Sequence, residues 1–280
     1  MKYKIDVIIP SLGGPKLLKT IKSLNKGSCK PKKIICVVYN KKKNNFKQKF
    51  KNTKIYFTSK KGQILQRHIA FKKTSEKYIL QLDDDVTLKK DCLEKLVVNL
   101  NKIGRKNVVG PIYKDQYGKP MHKIIRNKFQ LLYDLYHYLI CNSKFGNKKS
   151  GSLTPIFLAY GVDASCNNIK KINNTDWLPG GCVLGYRSEF IQKPKYPFKG
   201  KAYCEDIFYS ILRKKKKIKH NVVFDAKVRT FKSETDIKSF LSEAKVRYFL
   251  INKFNRDKKL RFFIWLMLEF FKKIFFQLVK

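Results

Sequence analysis

Four short apolar runs, all in the first hundred residues, constrain the fold most: residues 5–9 (IDVII), 33–39 (KIICVVY), 54–59 (KIYFTS) and 78–82 (YILQL). Between and after them the spacing turns helical, with Leu17, Leu18, Ile21 and Leu24, then Leu65 and Ile69, then Leu93, Leu96, Val97 and Leu100. Strands that are apolar throughout are buried on both faces, and strand–helix alternation supplies the helices that bury them. The expected fold class is α/β: a mainly parallel sheet flanked by helices. Ligands of such sheets bind at the carboxyl ends of the strands, where Ser11, Asn40 and Asp83 fall.

The fourth run ends in three consecutive carboxylates, Asp83, Asp84 and Asp85. On an extended backbone residues i and i+2 point to the same side, so Asp83 and Asp85 can face one crevice. Their repulsion is costly unless a cation or hydrogen-bond donors occupy the space between them. A hard divalent cation, Mn²⁺ or Mg²⁺, suits an oxygen-only site completed by substrate phosphates. A solvated turn ahead of the next helix, favoured by its macrodipole, is the alternative, and it needs one Asp rather than three.

Downstream the pattern is less regular. Residues 107–113 (NVVGPIY) read as a strand, and Phe129, Leu132, Tyr133, Tyr136, Leu139 and Ile140 fit an amphipathic helix. Residues 142–175 are rich in turn formers and read as a loop-rich excursion. A strand is expected over 221–226, with His220 just before it, and a helix over about 236–254. His122 and His137 read as surface or packing residues.

Charge and cysteine content bound the partners. The net charge is +43, and only nine of the 63 basic residues are Arg. Such a chain attracts polyanions, including nucleotide diphosphates and anionic lipid headgroups. Nucleic acid is not the expected partner, because no zinc-finger spacing, basic zipper or RNA-recognition signature is present. The seven cysteines are scattered without a CxxC pair, which favours a reducing compartment over a disulfide framework or a zinc site. The apolar run before Pro10 is too short for a signal peptide, so a cytoplasmic location is expected.

The last segment, residues 259–280, is distinct. Its longest uncharged stretch, 262–268, is far too short to span a bilayer. On a helical wheel Arg261, Glu269, Lys272, Lys273, Gln277 and Lys280 gather on one side, with Phe262, Phe263, Leu266, Phe270, Ile274 and Leu278 on an apolar face. Trp265 falls on the polar side, as an interfacial indole would. The expectation is a helix lying in the cytoplasmic interface of an anionic membrane; a helix packed on the domain or on a second subunit is the alternative.

In order and spacing, VIIPS, GQILQRHIAFKKTSEKYILQLDDD, WLPGGCVLGYR and CEDIFYSILRK resemble the family 2 glycosyltransferases of the GT-A fold, over roughly residues 4–255. The resemblance implies inverting transfer of a sugar from a nucleotide-diphosphate donor to a hydroxyl acceptor, and the amphipathic tail adds the expectation that the acceptor is a glycan or lipid-linked. The resemblance also implies a catalytic domain over 1–235, with a nucleotide-sugar half (1–113) and an acceptor half (114–235), followed by a helical extension over 236–280 whose membrane association is expected from its amphipathic end. Pro10 and Ser11 match the strand end that lines the nucleotide. Arg67 matches an Arg that holds the donor or the acidic cluster, with an exposed helical Arg as the plainer reading. Asp83 and Asp85 match the metal-binding DXD element, with Asp83 also facing the ribose or sugar. Asp84 belongs to the donor-binding set without a role of its own.

The resemblance further places Gly180 and Gly181 at a turn beside the donor sugar and acceptor. Trp177 is a stacking face for a sugar or a core residue. Glu205 would orient an acceptor hydroxyl and Asp206 would be the general base, although a carboxylate at a helix start also serves as a cap. Two departures stand out. Tyr39 and Asn40 occupy the place where the family carries Asp for the donor base, and can stack on a base and hydrogen-bond to it. Arg229 and Thr230 stand where the family often has a metal or phosphate His, so Arg229 is expected to contact the diphosphate. Two other classes remain: a sugar-nucleotide synthesising enzyme of related fold, and a non-enzymatic basic protein that binds membrane or nucleic acid.

Overall fold

The computed structural model describes residues 3–40, 50–122, 130–141, 150–163, 172–191, 196–198, 200–231 and 236–278. They form two compact units, one of residues 1–121 and 164–232, the other of residues 122–163 and 233–280. The sequence-based boundary at residue 235 assigns 122–163 to the catalytic part; the described stretches 130–141 and 150–163 fall in the second unit with the C-terminal helices.

The larger unit is built on one sheet. Its strands are β1 (Ile5–Ser11), β2 (Lys33–Tyr39), β3 (Thr53–Thr58), β4 (Tyr78–Leu82), β5 (Thr87–Leu88), β6 (Asn107–Lys114), β7 (Ile172–Thr175), β8 (Cys182–Tyr186) and β9 (Lys219–Arg229). Helices α1 (Pro15–Asn25), α2 (Gln63–Lys72), α3 (Cys92–Ile103) and α5 (Glu205–Lys215) connect them. The path across the sheet is β3-β2-β1-β4-β8-β6-β9-β5, with β7 on β9. The β3-β2-β1-β4 half is parallel throughout, as the apolar runs require. β8 then enters antiparallel to both β4 and β6.

Local sequence explains the elements. Every residue of β1 is buried, and Leu17, Ile21 and Leu24 of α1 pack over the strands through their helical spacing. Pro15 occupies the first turn of α1, where its missing N–H costs nothing. Asp6 is the exception inside β1: its carboxylate accepts from the Ser75 and Glu76 amides (2.7 and 3.1 Å), tying the loop before β4 to the buried edge of β1. Burial pushes the Cys36 and Cys92 thiols up to about 12, which makes them small core residues rather than reactive groups. β9 is longer than the expected 221–226 and contains His220, buried and held well below the usual imidazole range, at about 3, by burial and by neighbouring Arg213 and Lys214.

The helical unit contains α4 (Gln130–Leu139), α6 (Ile237–Phe254) and α7 (Lys259–Leu278). Asp236 caps α6 by accepting from the Ser239 amide at 2.8 Å. Buried Arg247 of α6 pairs with Glu243 and donates to the Phe157 carbonyl. His137 packs against the rings of Tyr136 and Tyr160 and is a packing residue, as expected. Trp265 departs from expectation: it is 8% exposed and packed on Phe240 and Phe262, because the side of α7 that reads as polar on the wheel is the side turned to α6.

Candidate active site

The carboxyl ends of β1 and β4 meet in one crevice, and the three aspartates divide its work. Asp83 directly follows β4, its backbone N–H donating to the Gly181 carbonyl at 2.9 Å. Its Oδ1 accepts from Arg67 Nη2 (2.5 Å) and Gln63 Nε2 (3.1 Å), both on α2. Asp84 turns the other way. Its carboxylate accepts from the Ser11 hydroxyl at the end of β1, and its backbone carbonyl accepts from Thr20 Oγ1 of α1 at 2.9 Å. Asp84 is therefore the clamp between the first strand–helix turn and the aspartate turn.

Asp85 is partly buried, and its carboxyl is pushed up by that burial and by the negative charges of Asp83 and Asp84, with Lys16 opposing. A cavity of about 160 Å³ lies alongside, lined by Lys16, Lys19, Asp85, Thr87, Arg229 and Phe231 among others. Lys16 also sits over the Phe231 ring at 4.8 Å. Among the described residues no group of three His, Cys, Asp or Glu side chains could cage a metal. Asp83 and Asp85 offer two hard carboxylates, crowded enough to raise Asp85, and their chemistry would suit a Mn²⁺ or Mg²⁺ ion completed by substrate oxygens.

Arg67 joins the two halves of the chain. It is 6% exposed, with Nη2 on Asp83 and Nη1 on Glu205, the first residue of α5. Burial alone would lower its pKa; the carboxylates of Glu205 and Asp83 outweigh that and raise it, so the guanidinium stays charged. The plainer reading of Arg67 as an exposed helical residue is thereby excluded. Glu205 is buried and spends its Oε1 on Arg67.

Gly180 fits over that pair for a steric reason: a Cβ there would lie 2.4 Å from Glu205 Oε1, an atom Arg67 holds in place. A Cβ on Gly181 would meet Asp83 Oδ2 and the Tyr113 hydroxyl at 3.3 and 3.2 Å. Asp206 begins α5 beside Glu205; its Oδ1 accepts from the Ile207 amide at 2.9 Å. Its Cβ lies 3.4 Å from the position a Gly180 side chain would take, so it stands at the same turn.

Other predicted residues fall nearby or elsewhere. Pro10 is buried in β1. Asn40 follows β2 in the left-handed region (φ 60°), which Asn tolerates well, with its backbone N–H donating to the Thr58 carbonyl at 2.9 Å. Trp177 is 8% exposed, so its ring belongs to the core rather than to an open stacking face.

Tyr113, at the end of β6, escaped sequence reasoning. Its hydroxyl feels both the Asp83 and the Asp206 carboxylates: burial, followed by the charges of Cys182, Asp83 and Asp206, pushes it far above the usual phenol range. A tyrosine ending an apolar strand gives no signal of its own; only the β4-β8-β6 order brings it here.

The sequence matches the family model of glycosyl transferase family 2 over residues 6–156, and the chain belongs to that family of sugar-transferring enzymes. The match includes Ser11, Arg67 and the three aspartates but ends before Gly180 and Asp206. The fold agrees with the GT-A glycosyltransferases. A similar solved structure is GalNAc-T7 with UDP, GalNAc and Mn²⁺, at 16% identity and a TM-score of 0.57 over 83% of this chain. The present chain spans 44% of the GalNAc-T7 chain. TarS of S. aureus, residues 1–349, aligns at 14% identity over 89% of this chain and 65% of its own, with a TM-score of 0.47. No curated protein matches the sequence.

Proposed function

We propose that the chain catalyses inverting transfer of a sugar from a nucleotide-diphosphate donor to a hydroxyl of a glycan or lipid-linked acceptor. The observation that carries this reading is the Arg67 bridge. It brings the aspartate turn and the Glu205-Asp206 pair, separated by more than a hundred residues, to one crevice at the sheet's carboxyl edge. A sugar-nucleotide synthesising enzyme would give no role to the second carboxylate pair.

In this reading Asp206 accepts the acceptor's hydroxyl proton as the new bond to the sugar's anomeric carbon forms. The bond from that carbon to the phosphate oxygen breaks, and its electron pair leaves with the nucleoside diphosphate. Asp83 and Asp85 would hold a Mn²⁺ or Mg²⁺ ion, whose chemistry is to neutralise charge on the departing diphosphate. Lys16 and Arg229 line the cavity beside Asp85 and would share that task. Tyr39 and Asn40 receive the donor base. Arg67 fixes Asp83 and Glu205, and Glu205 acts on the acceptor through the position it gives Asp206 and the Gly180 turn.

The test is hydrolysis or transfer of nucleoside-diphosphate sugars with and without Mn²⁺. Asp206→Asn should lower turnover by about 10²–10⁴-fold while leaving donor affinity and melting temperature unchanged. Full activity in this variant removes Asp206 from the base role.

A further inference from the structure

The helical unit exposes a long apolar line on its last helix. One side of α7 is used internally: Phe262 stacks on Tyr248 of α6 and Trp265 packs on Phe240, with ring centroids 6.1 Å apart in each case. On the opposite side Leu260, Met267, Phe271 and Phe275 are 72, 52, 62 and 63% exposed, and Phe263, at its border, is 49% exposed with its ring against Tyr248 of α6 at 5.5 Å. Steps of three and four residues keep these side chains in one line, about 22 Å long at the helical rise. At 100° per residue no charge falls within the line; Arg261 and Lys272 lie on one flank and Lys259 on the other, while Lys273 is turned over the Phe240 ring of α6 at 5.4 Å. The C-terminal turn of α4, fixed to α7 where Arg261 donates to the Leu139 carbonyl, adds exposed Leu135 and Leu139 to the same unit.

Charge selects what covers this face. Residues 256–280 contain seven Lys or Arg against two Asp or Glu. Two copies meeting through α7 would bring these like charges together. A bilayer with anionic headgroups offers the opposite charge at the rim and hydrocarbon beneath, and flanking lysines can bury their stems while keeping the ammonium in the headgroup layer. Among the described residues no helix is long and apolar enough to cross a membrane, so the helix would lie in the plane of the interface.

We propose that α7 docks the chain on an anionic lipid surface through the Leu260–Phe263–Met267–Phe271–Phe275 line. This differs from what the helical wheel alone suggests, since Phe262 faces inward. The docking does not depend on the sugar-transfer reading and is measured without it.

The experiment is co-sedimentation of the full chain with vesicles of phosphatidylcholine alone and of phosphatidylcholine with phosphatidylglycerol. Wild type should partition to the anionic vesicles. The triple variant Leu260→Ser, Met267→Ser, Phe271→Ser should bind about tenfold or more weakly, because three exposed apolar side chains no longer leave water. Its melting temperature should hold, since the replaced groups are exposed. Lys259→Glu with Lys272→Glu should weaken binding to the anionic vesicles, and added salt should do the same. The indole of a single Phe271→Trp variant should be quenched by brominated lipid. Wild-type binding by the triple variant overturns the proposal, as does a Phe271→Trp variant that binds without being quenched. So does self-association through the same residues in a wild type that ignores vesicles.

Discussion

Asp85 is held above the usual carboxylate range by burial and by Asp83 and Asp84, against the pull of Lys16. A raised carboxylate pKa means that the fold disfavours the charged form, so the ionised group costs stability at every pH above its folded value. Asp85→Asn removes that charge and should raise the melting temperature of the metal-free protein, by about 2–4 °C for each kcal/mol of repulsion relieved. Wild type should gain stability on adding Mn²⁺ by mass action, and the variant should not. A thermal-shift titration reads both effects. An unchanged Mn²⁺ response in Asp85→Asn would take Asp85 out of the metal site. Arg67 has the opposite balance. Replacing it with Met leaves Glu205 buried without its partner, and equilibrium unfolding should show a loss of about 3–5 kcal/mol. A loss under about 1 kcal/mol would show that the pair is solvated and that the bridge does not organise the site.

Between elements, the tie from α1 to the aspartate turn is a hydrogen bond that no motif announces. Thr20 is fully buried, and its hydroxyl donates to the Asp84 carbonyl at 2.9 Å. Thr20→Val keeps the shape and leaves that carbonyl unsatisfied, so urea denaturation should show a loss of about 1–2 kcal/mol with an unchanged m-value. If stability is unaffected, the Thr20 bond is not what holds the turn. The runs of β1, β2 and β4 were legible because strands buried on both faces carry no polar alternation to blur them. β3 departs from that expectation: at the sheet's edge only Thr53 is buried, and Phe57 is 38% exposed. β7, with the sequence INNT, was not, since only its pairing with β9 makes it a strand. The site split in the same way. The aspartates and Gly180-Gly181 stand in local motifs, whereas the Arg67–Glu205 pair and Tyr113 depend on β8 entering between β4 and β6. The direction in which Trp265 points was equally hidden, because a wheel gives angles but not the neighbour.

For the whole molecule, 63 basic residues face 20 acidic ones, and local pairs cannot cancel that excess. Several of the ion pairs that form are exposed, such as Lys95–Asp91 and Lys214–Asp176, and contribute little each. The remaining lysines repel one another, more strongly in the compact state than in the expanded one, so self-repulsion opposes folding. Salt screens it: the Debye length falls from about 30 Å near 0.01 M to about 8 Å near 0.15 M, shorter than the separation of most surface charges on a domain of this size. Raising NaCl from about 20 to about 300 mM should therefore increase the melting temperature steadily, the reverse of a fold held by surface ion pairs. Over the same range, binding to vesicles and to non-specific polyanions should weaken, because those contacts draw on the same charges. Differential scanning calorimetry across the series checks the first effect, and a flat or falling melting temperature would mean that the lysines are neutralised locally rather than repelling across the surface.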